Sequence, residues 1–305
     1  MSGLLQSLQG AVSQGVLWGI MVLGVYITYK ILNIADLTVD GSFALGGCVS
    51  AILISTFGWN PLLALIVATL SGVLAGAVTG FLHTVFEIPA ILAGILTQIA
   101  LWSINLRIMG GKANIPLLNY QTIFTWLMDK TGLSPQQVGV ILGVIIAVLV
   151  IILLYWFFGT ELGAALRATG DNEDMIRALG VDIRWTKVLA LMVSNGLVAL
   201  SGGLVSQSQK TATIDKGAGA IVIGLASIVI GGVLMGKLRS FGSKLTSTIV
   251  GTIVYFLITA IVLRLGMKAN DMKLLSAIIV ALALFIPVAS QKWAAKRAYS
   301  KGGKA

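Results

Sequence analysis

The sequence predicts an all-α polytopic membrane protein with about nine transmembrane segments. Three observations point that way. Of 305 residues, 57% are hydrophobic and only 10% charged, against about 25% charged in a soluble domain, and the mean hydropathy is +0.97. Apolar runs recur at the length a bilayer core needs, about 20 residues of helix. The charge is also clustered: nine of the 32 charged side chains fall in residues 159–187, while 136–158 and 188–209 hold none. A polar island between two uncharged runs has to stand in water on one side of a membrane.

The nine segments are 8–32, 41–57, 60–86, 89–108, 135–158, 185–206, 218–236, 245–263 and 271–289. The second is short and the seventh glycine-rich, so either is a candidate broken or half-membrane helix. No Lys or Arg precedes Lys30, so the first run lacks the charged start of a secretory signal and reads as a retained helix. Positive charge sets the orientation. With 159–187 inside, Lys30, Lys237, Arg239, Lys244 and the basic tail 290–305 also fall inside, and the N-terminus lies outside. The loop 264–273, with Arg264, Lys268 and Lys273, is the exception. One domain, 1–305, accounts for the chain. The net charge of +10 therefore marks loops beside lipid rather than a nucleic-acid surface. Cys48 has no cysteine to pair with, and Cys48 with His83 is no metal signature.

The island has internal order. Glu161–Thr169 reads as a short helix with Gly170 as its stop. Asp171 and Asn172 offer an N-cap to a second helix, with Glu173 and Asp174 in its first turn. Met175, Ile176 and Leu179 form an apolar stripe that Gly180 ends. So short a helix is marginal alone in water, and its stripe calls for a partner.

Elsewhere each motif has a plainer alternative. Residues 33–42, NIADLTVDGS, place two acids beside a membrane segment, where they are costly unless solvated or paired. They are either a polar break lining a pathway, with Gly41 permitting the turn, or an ordinary connection. Asn33, Asp36, Thr38, Asp40 and Ser42 are the pathway candidates, joined by Gln98 and Asn195. For Gln98, Asn105, Arg107, Asn195 and Gln207 the alternative is interhelical hydrogen bonding and snorkelling. Gly72, Gly76 and Gly80 make a close-packing face. His83 and Glu87 read as a solvated or mutually bonded pair. Gly231-x4-Gly236-Lys237 mimics a phosphate loop but has Leu238 where Ser or Thr belongs, and no strand precedes it. No nucleophile–base set is visible, so an enzyme is not expected.

Residues 160–172, TELGAALRATGDN, followed by Ala178-Leu179-Gly180-Val181-Asp182, resemble the cytoplasmic loop of permease subunits from ABC importers of the branched-chain amino-acid and ribose type. NIADLTV at 33–39, IPAILA at 88–93 and the Ala220-Ile221-Val222 stretch before Gly231-Gly232 resemble further family segments, in the family's order over about 15–285. Asp40-Gly41 and Glu173-Asp174 depart from the usual pattern, and an initial helix of the ribose-type permeases is not expected here. The resemblance is nearest to a subgroup linked to tryptophan and other aromatic amino acids.

The resemblance implies a second permease copy, a dimer of separate ATPase subunits that bind the ATP, an extracytoplasmic solute-binding protein, surrounding membrane lipid and a bacterial plasma-membrane location. No cofactor of the chain's own is expected. It makes 159–187 a cytoplasmic coupling loop between segments five and six. Met175, Ile176 and Leu179 would then be its buried stripe, with Arg167, Asp171, Asn172, Glu173, Arg177 and Gly180 as the remaining coupling positions. The solute is expected to be small, polar and neutral or zwitterionic, an aromatic or branched-chain amino acid. The alternatives are a secondary transporter, which needs ion-site groups at mid-membrane, and an intramembrane enzyme.

Overall fold

The computed structural model describes residues 2–235, 240–266, 271, 274–282 and 285. The chain runs α1 (Ser2–Tyr26), a π-helical turn (Ile27–Ile31), α2 (Thr38–Ser55), α3 (Pro61–Thr84), α4 (Ala90–Ile108), β1 (Asn114–Pro116), α5 (Ile123–Thr131), α6 (Pro135–Gly159), α7 (Glu161–Asp171), α8 (Glu173–Ala178), α9 (Ile183–Ser208), β2 (Thr211–Thr213), α10 (Ala220–Met235) and α11 (Phe241–Arg264).

Local chemistry sets the helix starts. Asn60 accepts a hydrogen bond from the Leu62 N–H at 2.9 Å, just before Pro61 opens α3. Ser134 and Gln137 close a reciprocal capping box on α6, and Thr122 and Thr125 one on α5. Gly132, at φ +68°, stops α5.

Helix α9 is the central strut. Ser194 and Ser201 donate to the carbonyls of Gly24 and Leu17, at 2.8 and 2.7 Å, so α1 runs antiparallel to it. Asp36 meets Asn195 and Ser50 meets Gln207, so α2 runs parallel. Gly72, Gly76 and Gly80 of α3 sit directly on the α9 backbone, the close-packing role their spacing predicts. One end of the bundle carries α7 and α8 (the loop end). The other carries the antiparallel pair β1–β2 (the sheet end), in which Ile115 faces Ala212. The main core lies among α1, α2, α6, α9, α10 and α11.

Seven helices among the described residues are long and apolar enough to cross a membrane, beginning at Gln6, Thr38, Pro61, Ala90, Pro135, Ile183 and Phe241. Of the nine expected segments, 218–236 is the 16-residue helix α10. At 1.5 Å per residue it is roughly 24 Å long, short of the ~30 Å hydrocarbon core. The ninth, 271–289, is described only at 271, 274–282 and 285, and its remaining residues fall outside the described ones. So do the tail 290–305, Lys237, Arg239, Lys268, Lys273 and the end of the phosphate-loop mimic at 236–238.

Three local expectations change. The polar stretch 33–42 is irregular only to Leu37, and α2 begins at Thr38. Gly41 is therefore helical rather than a turn; it is small because α4 presses against it at Leu101 and Gln98. Gly170 does not stop α7, which continues to Asp171. Of the two readings of His83 and Glu87, the mutual bond is not formed: His83 bonds the Ile88 carbonyl at 2.9 Å, and Glu87 is exposed.

Candidate functional site: a polar break at mid-depth and the loop beneath it

Two helices begin inside the bundle, and each start is held by an aspartate. Between α1 and α2 the chain leaves helical geometry over residues 32–37. Its orphan N–H groups need acceptors where water is scarce. Asp36 supplies one: Oδ1 accepts from the Thr38 N–H at 2.9 Å and Oδ2 from Asn195 Nδ2 at 2.7 Å. Asp36 is 2% exposed and Asn195 is fully covered. No cation contacts the carboxylate among the described residues, so these hydrogen bonds offset the cost of burying it.

The polar chain continues sideways. Thr38 Oγ1 meets Thr79 Oγ1 at 2.8 Å, and Thr79 donates to Thr97 at 3.0 Å. Four helices are thus stitched together: the start of α2, the last third of α3 and the middles of α4 and α9.

Asp40, less than one turn into α2, caps the second internal start. Oδ2 accepts from the Gly219 N–H at 2.8 Å and Oδ1 from the Ile221 N–H at 3.0 Å. A carboxylate at the N-terminus of α10 satisfies two orphan donors and faces the positive end of the helix dipole. From β2 the chain dips back to this level before α10 runs to the loop end, where Gly231 packs on Ser247 of α11. The segment read as a candidate broken or half-membrane helix is thus a short helix that starts inside the bundle and reaches the loop end.

Beside Asp40 opens a cavity of about 310 Å³, lined by α2, α4 and residues 214–218. Its polar lining comes from Asp40, Gln98, Ser103, Asn105 and Asp215, with Trp102 as the aromatic member. Of the predicted pathway residues, Asp40 and Gln98 reach this space. Asp36, Thr38 and Asn195 lie in the buried stitch. Ser42 is fully covered, its hydroxyl without a partner among the described residues. Asn33 is exposed at the loop-end mouth of the break. Gln207 bonds Ser50, the Pro61 carbonyl and the Ile123 N–H, the interhelical role offered as its alternative.

Trp102, Asp215, Thr79 and Thr97 were not expected as site residues. One signal existed: Gln98, Trp102 and Asn105 recur at i, i+4 and i+7, one face of α4. Nothing local marked Asp215, 113 positions from the Trp102 indole that donates to it at 3.4 Å.

At the loop end, Thr160 caps α7 by accepting from the Gly163 N–H, and Asn172 caps α8 by accepting from the Met175 N–H at 3.0 Å. Gly180, at φ +80°, follows the end of α8. The expected apolar stripe is split: Ile176 is covered by the chain itself, whereas Met175 and Leu179 are 50% and 71% exposed. Leu162 and Trp185 are exposed with them. Two of the charged positions are used internally. Glu173 pairs with Lys187 at 2.7 Å, and the Arg167 guanidinium lies 5.8 Å from the Phe241 ring centroid. Asp171, Asn172, Arg177 and Gly180 are exposed.

The loop and the break touch. Asn33, in the left-handed region at φ +55°, donates from Nδ2 to the Gly170 carbonyl at 3.0 Å. A Cβ on Gly170 would run into the Ile31 carbonyl oxygen. Backbone thus meets backbone at Ile31 and Leu32, four to five residues before Asp36.

The structure thus combines membrane-length helices, two helix starts inside the bundle and a charged helical loop at one end. Among the described residues no three His, Cys, Asp or Glu side chains converge as metal ligands. Residues 7–286 match the family model described as "Branched-chain amino acid transport system / permease component". A tyrosine transport system permease protein of Clostridioides difficile (strain R20291) is 41% identical over 92% of this chain and 90% of its own. An uncharacterized protein of Rickettsia prowazekii (strain Madrid E) is 34% identical over 92% and 96%. A ribose import permease protein of Escherichia coli (strain K12) is 23% identical over 87% and 81%. The chain belongs to this family of branched-chain amino-acid-type permease components: it is a multi-pass membrane permease of an ABC-type transport system.

Proposed function

We propose that the chain is the membrane subunit of an ATP-driven importer for a small zwitterionic solute, an aromatic amino acid, working as a homodimer. The loop end faces the cytoplasm, where Met175 and Leu179 enter a groove on a separate ATPase subunit. The sheet end and the N-terminus face outward, where an extracytoplasmic binding protein delivers the solute. Positive charge in 159–187 supports the orientation. The name of the 41% identical relative supports the solute class.

The observation that carries this reading is the contact of Asn33 and Ile31 with Gly170. It gives a push on α7 and α8 a direct backbone route to the break that holds Asp36. ATPase closure then moves the loop, and the break and α10 shift access between faces as packed bodies.

Co-expression with the ATPase subunit tests the docking face. The double variant Met175→Asp, Leu179→Asp loses co-purification while its thermal stability stays within about 0.5 kcal/mol, as for exposed sites. Retained co-purification refutes the docking face. Uptake of labelled L-tyrosine by the assembled system tests the solute, and no uptake above the background of cells lacking the permease refutes that class.

A further inference from the structure

The cavity beside Asp40 has an unusual donor–acceptor balance. Two carboxylates, Asp40 and Asp215, and two side-chain amides, Gln98 and Asn105, line it, but no Lys, Arg or His does. The nearest cation in sequence, Lys216, is committed elsewhere: its Nζ donates to the Thr211 carbonyl at 2.7 Å. Asp40 spends both oxygens on the start of α10. Asp215 is exposed, and its carboxylate accepts the long 3.4 Å contact from Trp102 Nε1.

Asn105 supplies an independent sign of an absent ligand. It is 1% exposed; its Nδ2 donates to the Gly41 carbonyl at 3.4 Å, which orients the amide, and its Oδ1 accepts from nothing among the described residues. A buried acceptor without a donor costs about 1–3 kcal/mol, and a ligand N–H removes that cost.

From these groups we infer that the cavity is a subsite for a protonated primary amine, the ammonium end of the solute. Asp215 supplies the opposite charge, Asn105 a neutral acceptor and Trp102 an aromatic face of the kind that attracts cations. A carboxylate finds no positive side chain here and meets two acids, so the solute enters amine first. About 310 Å³ takes an amino group with part of its side chain, a small pocket by the standards of ligand sites. The inference rests on the permease reading and adds the chemical group this face selects.

The test is equilibrium binding to the full chain in lipid nanodiscs, read by tryptophan fluorescence. The probes are tyramine and its amine-free counterpart 3-(4-hydroxyphenyl)propionate, which share the phenol ring. Tyramine binds at least about tenfold more tightly, a difference of ~1.4 kcal/mol. Asp215→Asn, an exposed change that leaves the fold intact, removes most of that preference. Asp215→Lys reverses it, which a merely structural role would not do. Asn105→Leu weakens tyramine binding further where it folds. Equal affinity for the two probes, no binding of tyramine, or a preference unchanged in Asp215→Asn overturns the assignment. Because neither ATPase nor uptake enters this assay, its failure is distinct from failure of the importer reading.

Discussion

Residues 33–42 and residues 161–182 both crowd acids into short stretches, and the structure treats them in opposite ways. In the first, Asp36 is covered and Asp40 partly so, and each is turned onto backbone N–H groups at a helix start. In the second, Glu161, Asp171, Asp174 and Asp182 stay exposed, and one ion pair, Glu173 with Lys187, ties α8 to α9. The same residue type acts as internal scaffold in one place and as solvated surface in the other. What separates them is the alternative to the contact. Water solvates the loop acids if their contacts are lost, whereas at mid-depth nothing replaces the protein's own donors.

The largest effect should come from Asp36. Asp36→Ala leaves the Thr38 N–H and Asn195 Nδ2 without their acceptor and should destabilise the bundle by about 3 kcal/mol or more. Asp36→Asn, which keeps an acceptor for Thr38, should recover part of it. Thermal unfolding in detergent measures both, and a loss below about 1 kcal/mol for Asp36→Ala would mean that the break tolerates water.

The junction between the two regions comes next. Gly170→Ala forces a methyl group into the Ile31 carbonyl and should cost about 1–3 kcal/mol as overpacking. Asn33→Gly keeps the positive φ but removes the bond to Gly170, at about 1 kcal/mol. In Asn33→Gly the ATPase should still co-purify while uptake falls severalfold. Normal uptake would separate loop from break and undo the mechanical link.

The last effect is one of pH and concerns Lys216, at the sheet end. Burial lowers its pKa from 10.5 to about 8. Between those values the unfolded chain binds more protons than the folded one, so this group makes stability rise with pH from about 8 to 10.5, and the gain is lost as pH falls back through 8. Amine labelling of Lys216, followed by peptide mass spectrometry, should be half-maximal near pH 8, well below the profile of an exposed lysine near 10.4. Coincident profiles would show that Lys216 is solvated.

How much of this could be read from the sequence follows from range. Long helices were legible because hydropathy over about 20 residues is a local property, and the α8 cap at Asn172 because its partner lies three positions away. The glycine face of α3 was legible from spacing alone. The stitch of Asp36 with Asn195 was not, since its partners are 159 positions apart; interhelical hydrogen bonding was the stated alternative for Asn195, but nothing in the sequence named its partner. Strands of three residues, such as β1 and β2, carry no periodic signal. Ile176 looked equivalent to Met175 and Leu179 because a one-and-a-half-turn helix does not reveal which side its own protein covers.

The backbone contacts around α9 have one more consequence. Gly72 and Gly76 of α3 and Gly46 of α2 meet its main chain, while Gly202 of α9 meets that of α2. A side-chain interface can slide by swapping rotamers; two main chains in contact have no such slack. The three helices therefore travel as a single block, like a keel. Under the importer reading proposed above, access changes by movement of other packed elements against that block.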